Sequence, residues 1–133
     1  MSIHQQAPST LIVDDERHIR ELLTMMLESM GCQVVAEVGN GGTVMEICEE
    51  HQPELILMDI NMPGINGDNL VAEITTKLPN CVVIMMTSVN DKATITRCLT
   101  SGAKNYILKG TDLDKMQGII ESTWNKHGAA PRI

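Results

Sequence analysis

The sequence predicts an α/β fold: a single doubly wound parallel sheet of five strands, (βα)5, with helices on both faces. Three observations carry this expectation. Strand-like and helix-like runs alternate five times along the 133 residues. The runs Thr10–Val13, Leu55–Met58 and Val82–Met86 are almost wholly apolar, as befits strands covered on both sides. The stretches between strands are amphipathic at helical spacing, and their connections are short. Right-handed crossovers leave such a chain few ways to wind.

The elements follow in order. Thr10–Val13 is the first strand. Ile19, Leu22, Leu23, Met26, Leu27 and Met30 form one stripe of a helix that begins near Glu16 and ends at Gly31. Gln33–Val38 is the second strand, and Val44, Ile47 and Cys48 mark the second helix. Gly39, Gly41 and Gly42 with Asn40 read as a loop, since G-x-G-x-x-G is absent. Leu55–Met58 leads to a third helix carrying Leu70, Val71, Ile74 and Leu78, stopped by Pro79. Val82–Met86 leads to a fourth carrying Ile95, Cys98 and Leu99, stopped by Gly102. Asn105–Leu108 leads to a fifth carrying Leu113, Met116, Ile119, Ile120 and Trp124. Thr111 is its expected N-cap, with Asp112 and Asp114 in the first turn, where anions suit the helix dipole. The organisation expected is one domain over 9–125, an extension over 1–8 and a tail over 126–133.

Composition narrows the function classes. An apolar share of 43% suffices for a core and is too high for a disordered chain. Phe is absent and Met occurs ten times, so the core is aliphatic and adaptable. No apolar run approaches a membrane span and the start has no signal-peptide core, so a soluble cytoplasmic protein without membrane partners is expected. Cys32, Cys48, Cys81 and Cys98 are dispersed, with no zinc spacing, and read as buried reduced thiols. The net charge of −7 argues against nonspecific nucleic-acid binding. It divides unevenly: residues 1–76 carry 13 acids against Arg17 and Arg20 (−11), and residues 77–133 carry 4 acids against 8 bases (+4).

The chemistry gathers at strand ends. Asp59 closes the third apolar run, and Asp14 and Asp15 close the first. If those strands are neighbours, three anions meet at one sheet edge and need a cation. Thr87 and Lys109 end the fourth and fifth strands, and ligands of such sheets bind beyond the C-terminal strand ends. That is the start of a metal-assisted phosphoryl site. The alternative for Asp14-Asp15 is capping of the first helix, and both roles can hold together.

The chain here resembles the receiver domains of bacterial two-component response regulators, over about residues 8–125. The resemblance rests on Asp14-Asp15, on Asp59 with Met62-Pro63-Gly64 and Gly67, on Thr87-Ser88, and on Gly102-Ala103-Lys104-Asn105-Tyr106 leading to Lys109. It implies a chemotaxis-regulator-like fold with strand order 2-1-3-4-5. It implies Asp59 as phosphoacceptor from a sensor histidine kinase or phosphotransfer protein. It implies Mg²⁺ held by Asp15, Asp59 and the backbone carbonyl of Asn61, with Asp14 helping through water. Lys109 would pair with Asp59 and then with a phosphoryl oxygen, Thr87 would donate its hydroxyl, and Tyr106 would be the aromatic switch. The family commonly has proline after the lysine, often with a cis bond; Gly110 stands there, so a trans bond is expected. Val89, two residues after Thr87, is expected to shield the acyl phosphate from water.

The function expected is a phosphorylation-activated switch, not an enzyme acting on other substrates. Phosphorylation would change the partner affinity of the face made by the fourth helix, fifth strand and fifth helix. Lys92, Arg97, Lys104 and Lys115 lie around it, and an acidic protein surface or a homodimer pairing with Asp91, Asp112 and Asp114 would fit. Direct nucleic-acid contact is not expected. One alternative is a small aspartyl-phosphate phosphohydrolase, but enzymes of the haloacid dehalogenase type carry a second Asp where this chain has Asn61. The other is a metal-free interaction module, against which the full acid set stands.

Overall fold

The computed structural model describes residues 7–62, 66–88 and 92–128. Its elements are β1 (Ser9–Val13), α1 (Arg17–Ser29), β2 (Gln33–Val38), α2 (Val44–His51), β3 (Leu55–Asp59), α3 (Gly67–Lys77), β4 (Val82–Thr87), α4 (Lys92–Ser101), β5 (Asn105–Leu108) and α5 (Leu113–His127). A 3₁₀ turn over Gly41–Thr43 precedes α2, and Asn40 caps it by accepting from the Gly42 N–H. The strands form one parallel sheet in the order β2-β1-β3-β4-β5, as expected.

The apolar runs explain this order. β1, β3 and β4 are the central strands, and nearly all their residues are buried. The more polar β2 and β5 are the edges and are only half-buried. The pleat sends alternate side chains to opposite faces. Leu11, Val13, Ile56, Met58, Val83 and Met85 pack with Val44 and Cys48 of α2, Val71 and Ile74 of α3, and Cys98 of α4. Ile12, Leu55, Leu57, Ile84 and Met86 pack instead with Leu23, Met26 and Leu27 of α1 and Met116, Ile120 and Trp124 of α5. Each fully buried Leu, Ile or Met contributes about 1.5–3 kcal/mol of apolar transfer, so both faces are needed for stability. All four cysteines are free and buried, the thiol reading expected. No described helix is long and apolar enough to cross a membrane.

Two local features refine the expectations. The cap of α5 is Asp112, whose carboxylate accepts from the Lys115 N–H at 2.9 Å, and not Thr111. The Thr111 hydroxyl donates to the Leu108 carbonyl at 2.6 Å, so it closes the turn after β5 instead. Gly102 ends α4 at φ +127°, and a Cβ there would stand 2.7 Å from Thr75 of α3. The Thr75 hydroxyl lies 3.1 Å from the Ser101 carbonyl, so the end of α4 sits tightly on α3. Only glycine meets both the positive φ and the close approach.

Candidate functional site

Asp14, Asp15, Asp59, Thr87 and Lys109 all lie at or just past a strand end, and the strand ladder ties most of them there. The Asp14 N–H donates to Val38 O at 3.0 Å, tying the exit of β1 to β2. The Ile60 N–H donates to Met86 O at 3.1 Å, which holds Asp59 beside the end of β4. The Lys109 N–H donates to Thr87 O at 2.7 Å, setting the lysine beside Thr87. The Lys109–Gly110 bond is trans, as the glycine leads one to expect.

Asp14, Asp15 and Asp59 converge, with one oxygen from each within 4.8 Å of the others. Asp14 and Asp59 are buried; Asp15 is exposed. Asp14 Oδ1 accepts from the Glu16 N–H at 2.8 Å, and Asp59 Oδ1 from the Asn61 N–H at 2.9 Å. The capping alternative for Asp14 is thus met in part: it closes the turn into α1, while the N-cap position itself belongs to Glu16, whose side chain makes no cap bond. Lys109 Nζ donates to Asp59 Oδ2 at 3.0 Å and lies 2.8 Å from Asp14 Oδ2. The ammonium thus bridges the two buried carboxylates, one oxygen of each within 3.0 Å of it.

The electrostatics follow from this crowding. Burial pushes the Asp59 carboxyl above its ordinary value and the charge on Asp14 adds to the rise, while the Asn61 N–H and Lys109 pull it back. Desolvation works to lower the Lys109 ammonium, but Asp14 and Asp59 together outweigh it, and the net direction is up. The lysine is therefore a firm cation between two buried acids. One cation does not balance three carboxylates. An all-oxygen donor set and an excess of anions together fit a hard divalent cation.

Thr87 is fully buried at the end of β4, and its hydroxyl accepts from Asn61 Nδ2 at 3.2 Å. Tyr106 is half-exposed on β5 and borders a cavity of about 270 Å³ with Asn105, Ile107, Leu108, Thr111 and Ile119. Pro63, Gly64, Val89 and Asp91 lie outside the described residues. Two residues escaped the sequence reading as parts of the site. Glu16 Oε1 lies 3.6 Å from Lys109 Nζ, and Arg20 Nη1 donates to the Asp14 carbonyl at 2.7 Å. No spacing rule signals either, because both contacts depend on where α1 leaves the sheet.

Residues 10–121 match the response regulator receiver domain family. The chain belongs to that family, whose members are signalling modules of two-component systems. It is 33% identical over 115 residues to the chemotaxis protein CheY of Bacillus subtilis (strain 168), covering 86% of this chain and 96% of that one. It is 37% identical over 105 residues to the transcriptional regulatory protein LnrK of the same organism, covering 78% of this chain and 48% of that one. The chain thus spans nearly all of the one and about half of the other. Among solved structures, a CheY-like receiver domain protein from Methanospirillum hungatei JF-1 superposes with a TM-score of 0.83 at 25% identity, covering 91% of this chain and 96% of that one. The CheX–CheY–BeF3–Mg²⁺ complex from Borrelia burgdorferi gives a TM-score of 0.81 at 26% identity, covering 87% and 88%.

Proposed function

We propose that this protein is a phosphorylation-activated switch in which Asp59 is the phosphoacceptor. The observation that carries the reading is the setting of Asp59: a buried carboxylate at a strand end, bonded to Lys109 and facing Asp14 and Asp15. A carboxylate oxygen attacks the phosphorus of a phosphohistidine on a sensor kinase or phosphotransfer protein. The P–N bond breaks, its electron pair returns to the imidazole, and an aspartyl phosphate results. Lys109, already 3.0 Å from Asp59 Oδ2, moves its hydrogen bond to a phosphoryl oxygen. Thr87 gives up its contact with Asn61 and donates its hydroxyl to another.

Asp14, Asp15 and Asp59, with the backbone carbonyl of Asn61, would hold Mg²⁺ at this edge. When bound, the ion neutralises negative charge on the transferring group. The CheY complex solved with BeF3 and Mg²⁺ supports that choice of cation. Asn61 already donates its amide to Thr87, and no second acid stands in its place to protonate a leaving group, which favours a switch over a phosphohydrolase.

The output face in this reading is α4, β5 and α5, with Tyr106 turning inward as Thr87 moves. Leu99, Tyr106, Leu108 and Leu113 are its exposed apolar residues, and Lys92, Lys104 and Lys115 lie around them. Arg97 turns toward α3, 3.7 Å from Asp68, and is a weaker member of the basic patch. An acidic protein partner or a second copy of the chain fits this face. The test is acetyl phosphate with Mg²⁺, read by intact mass. Wild type gains one phosphoryl group and Asp59→Asn gains none; equal labelling of the variant rejects the assignment.

A further inference from the structure

Arg20 ends no strand and meets no reacting atom, yet it grips the loop that carries two of the three acids. Nη1 donates to the backbone carbonyl of Asp14 at 2.7 Å. Nε lies 3.3 Å from Glu37 Oε1 on the edge strand β2. The guanidinium also lies close to the chain just after β2, since a Cβ at Gly39 would stand 3.1 Å from Nη1. The side chain is only 18% exposed, low for an arginine.

The peptides around Asp14 are therefore held from both sides. The Asp14 N–H is bonded to Val38 O and the Asp14 C=O to Arg20, which is braced on Glu37. The plane of the Asp14–Asp15 peptide sets the direction in which Asp15 leaves the loop. Asp15 is exposed, so its convergence on Asp59 depends mainly on that backbone. A charge-assisted bond to a carbonyl is strong, and arginine's planar fork can serve two acceptors at once where lysine's ammonium is a single flexible point.

We infer that Arg20 is a positioning residue for the divalent-cation site, clamping the Asp14–Asp15 loop to β2 so that both carboxylates face Asp59. The inference rests on the proposal that these acids hold Mg²⁺. It assigns the ligand geometry to a residue on a helix outside the cluster, and it makes Glu37 and the unsubstituted Gly39 parts of the same clamp.

The charge of Arg20 and its clamp have opposite signs in a metal titration, which makes the test decisive. By charge alone, removing a cation beside a cation site tightens Mg²⁺ binding. Loss of the clamp weakens it. Mg²⁺ is titrated calorimetrically into wild type, Arg20→Ala and Arg20→Lys at fixed ionic strength. The expected result is a Kd raised ~10-fold in the alanine variant, the lower end of what lost supporting contacts cost a metal site. The lysine variant keeps the charge and stem and is expected to be weakened less but measurably; it also carries the test if the alanine variant does not fold. Amide hydrogen exchange on the metal-free proteins supplies a second readout: faster exchange in the variants at Asp14 and Glu16, whose N–H groups are bonded to Val38 O and Asp14 Oδ1, with the β3 amides unchanged. A Kd that is unchanged or lower in Arg20→Ala, or equal to wild type in Arg20→Lys, overturns the inference. If wild type itself takes up no Mg²⁺, the metal reading fails, and the exchange at Asp14 and Glu16 alone decides whether the clamp exists.

Discussion

Replacing Asp59 with Asn is expected to stabilise the metal-free protein and to erase most of its response to Mg²⁺. Lys109 Nζ stands 3.0 Å from Asp59 Oδ2, an attraction of about 5.5 kcal/mol at an effective dielectric of about 20. Against it stands Asp14, with an oxygen within 4.8 Å, a repulsion of at least ~3.5 kcal/mol on the same scale. Burial adds a desolvation penalty of several kcal/mol for the ion. The charged form is thus disfavoured, in line with the raised carboxyl, for which burial is the largest cause. Asn keeps the shape and an oxygen for the Asn61 N–H. Nor is Lys109 stranded, since Asp14 remains at 2.8 Å and Glu16 at 3.6 Å. The expected gain is about 1 kcal/mol, the low end of what replacing a whole buried ion pair by neutral residues yields, because Lys109 keeps Asp14 as its partner.

The pH dependence has a definite sign. A carboxyl raised in the fold contributes stability that is complete below its ordinary value of 3.8 and is lost as pH rises through the folded value. In EDTA the advantage of Asp59→Asn should therefore open as pH rises from acid toward neutrality. Mg²⁺ at 100 times its Kd adds about 2.7 kcal/mol to wild type and little to the variant, so the order of stability reverses. Urea unfolding at pH 7, with EDTA and then with Mg²⁺, measures both effects. A variant clearly less stable than wild type in EDTA, or one that gains as much from Mg²⁺, refutes the reasoning.

Three further outcomes are expected. Lys109→Ala leaves Asp14 and Asp59 buried face to face, and should cost about 3 kcal/mol in EDTA, with part of the loss restored by Mg²⁺ in the same urea series. Gly102→Ala meets both a positive φ and Thr75 at 2.7 Å and should cost about 2–4 kcal/mol. Gly110→Ala has a positive φ of +91° but open space, and should cost only about 1 kcal/mol; equal losses in thermal unfolding would discount the contact with Thr75. Cys48 and Cys81 are pushed up to about 11 and about 12, by burial first. At pH 8 a thiol-reactive maleimide should leave both unmodified in the native protein and label both in urea, as counted by mass.

Much of the fold and most of the site can be read along the chain. Apolar runs bounded by glycine, proline and polar residues determine the three central strands, because a strand buried on both faces has no room for polar side chains. Helical periodicity determines the helices for the converse reason: one stripe faces the sheet and the rest faces water. The strand-end positions of Asp14, Asp15, Asp59, Thr87 and Lys109 are legible because a parallel sheet brings all its C-terminal ends to one edge. The Thr111 cap was misread because Thr111 and the adjacent Asp112 both suit an N-cap; the turn after β5 claims the Thr111 hydroxyl and leaves the cap to Asp112.

What the tertiary structure alone decided is how the charges are shared. Sequence order cannot say that Lys109 reaches Asp14 as well as Asp59, or that Arg97 turns away to Asp68. Nor can it say that Arg20, six residues beyond Asp14 along the chain, returns to hold its carbonyl. Element type is set by patterns a few residues long, which the chain displays directly. Side-chain partnership is set by the angle at which each helix leaves the sheet, and that angle exists only once both faces of the sheet are packed.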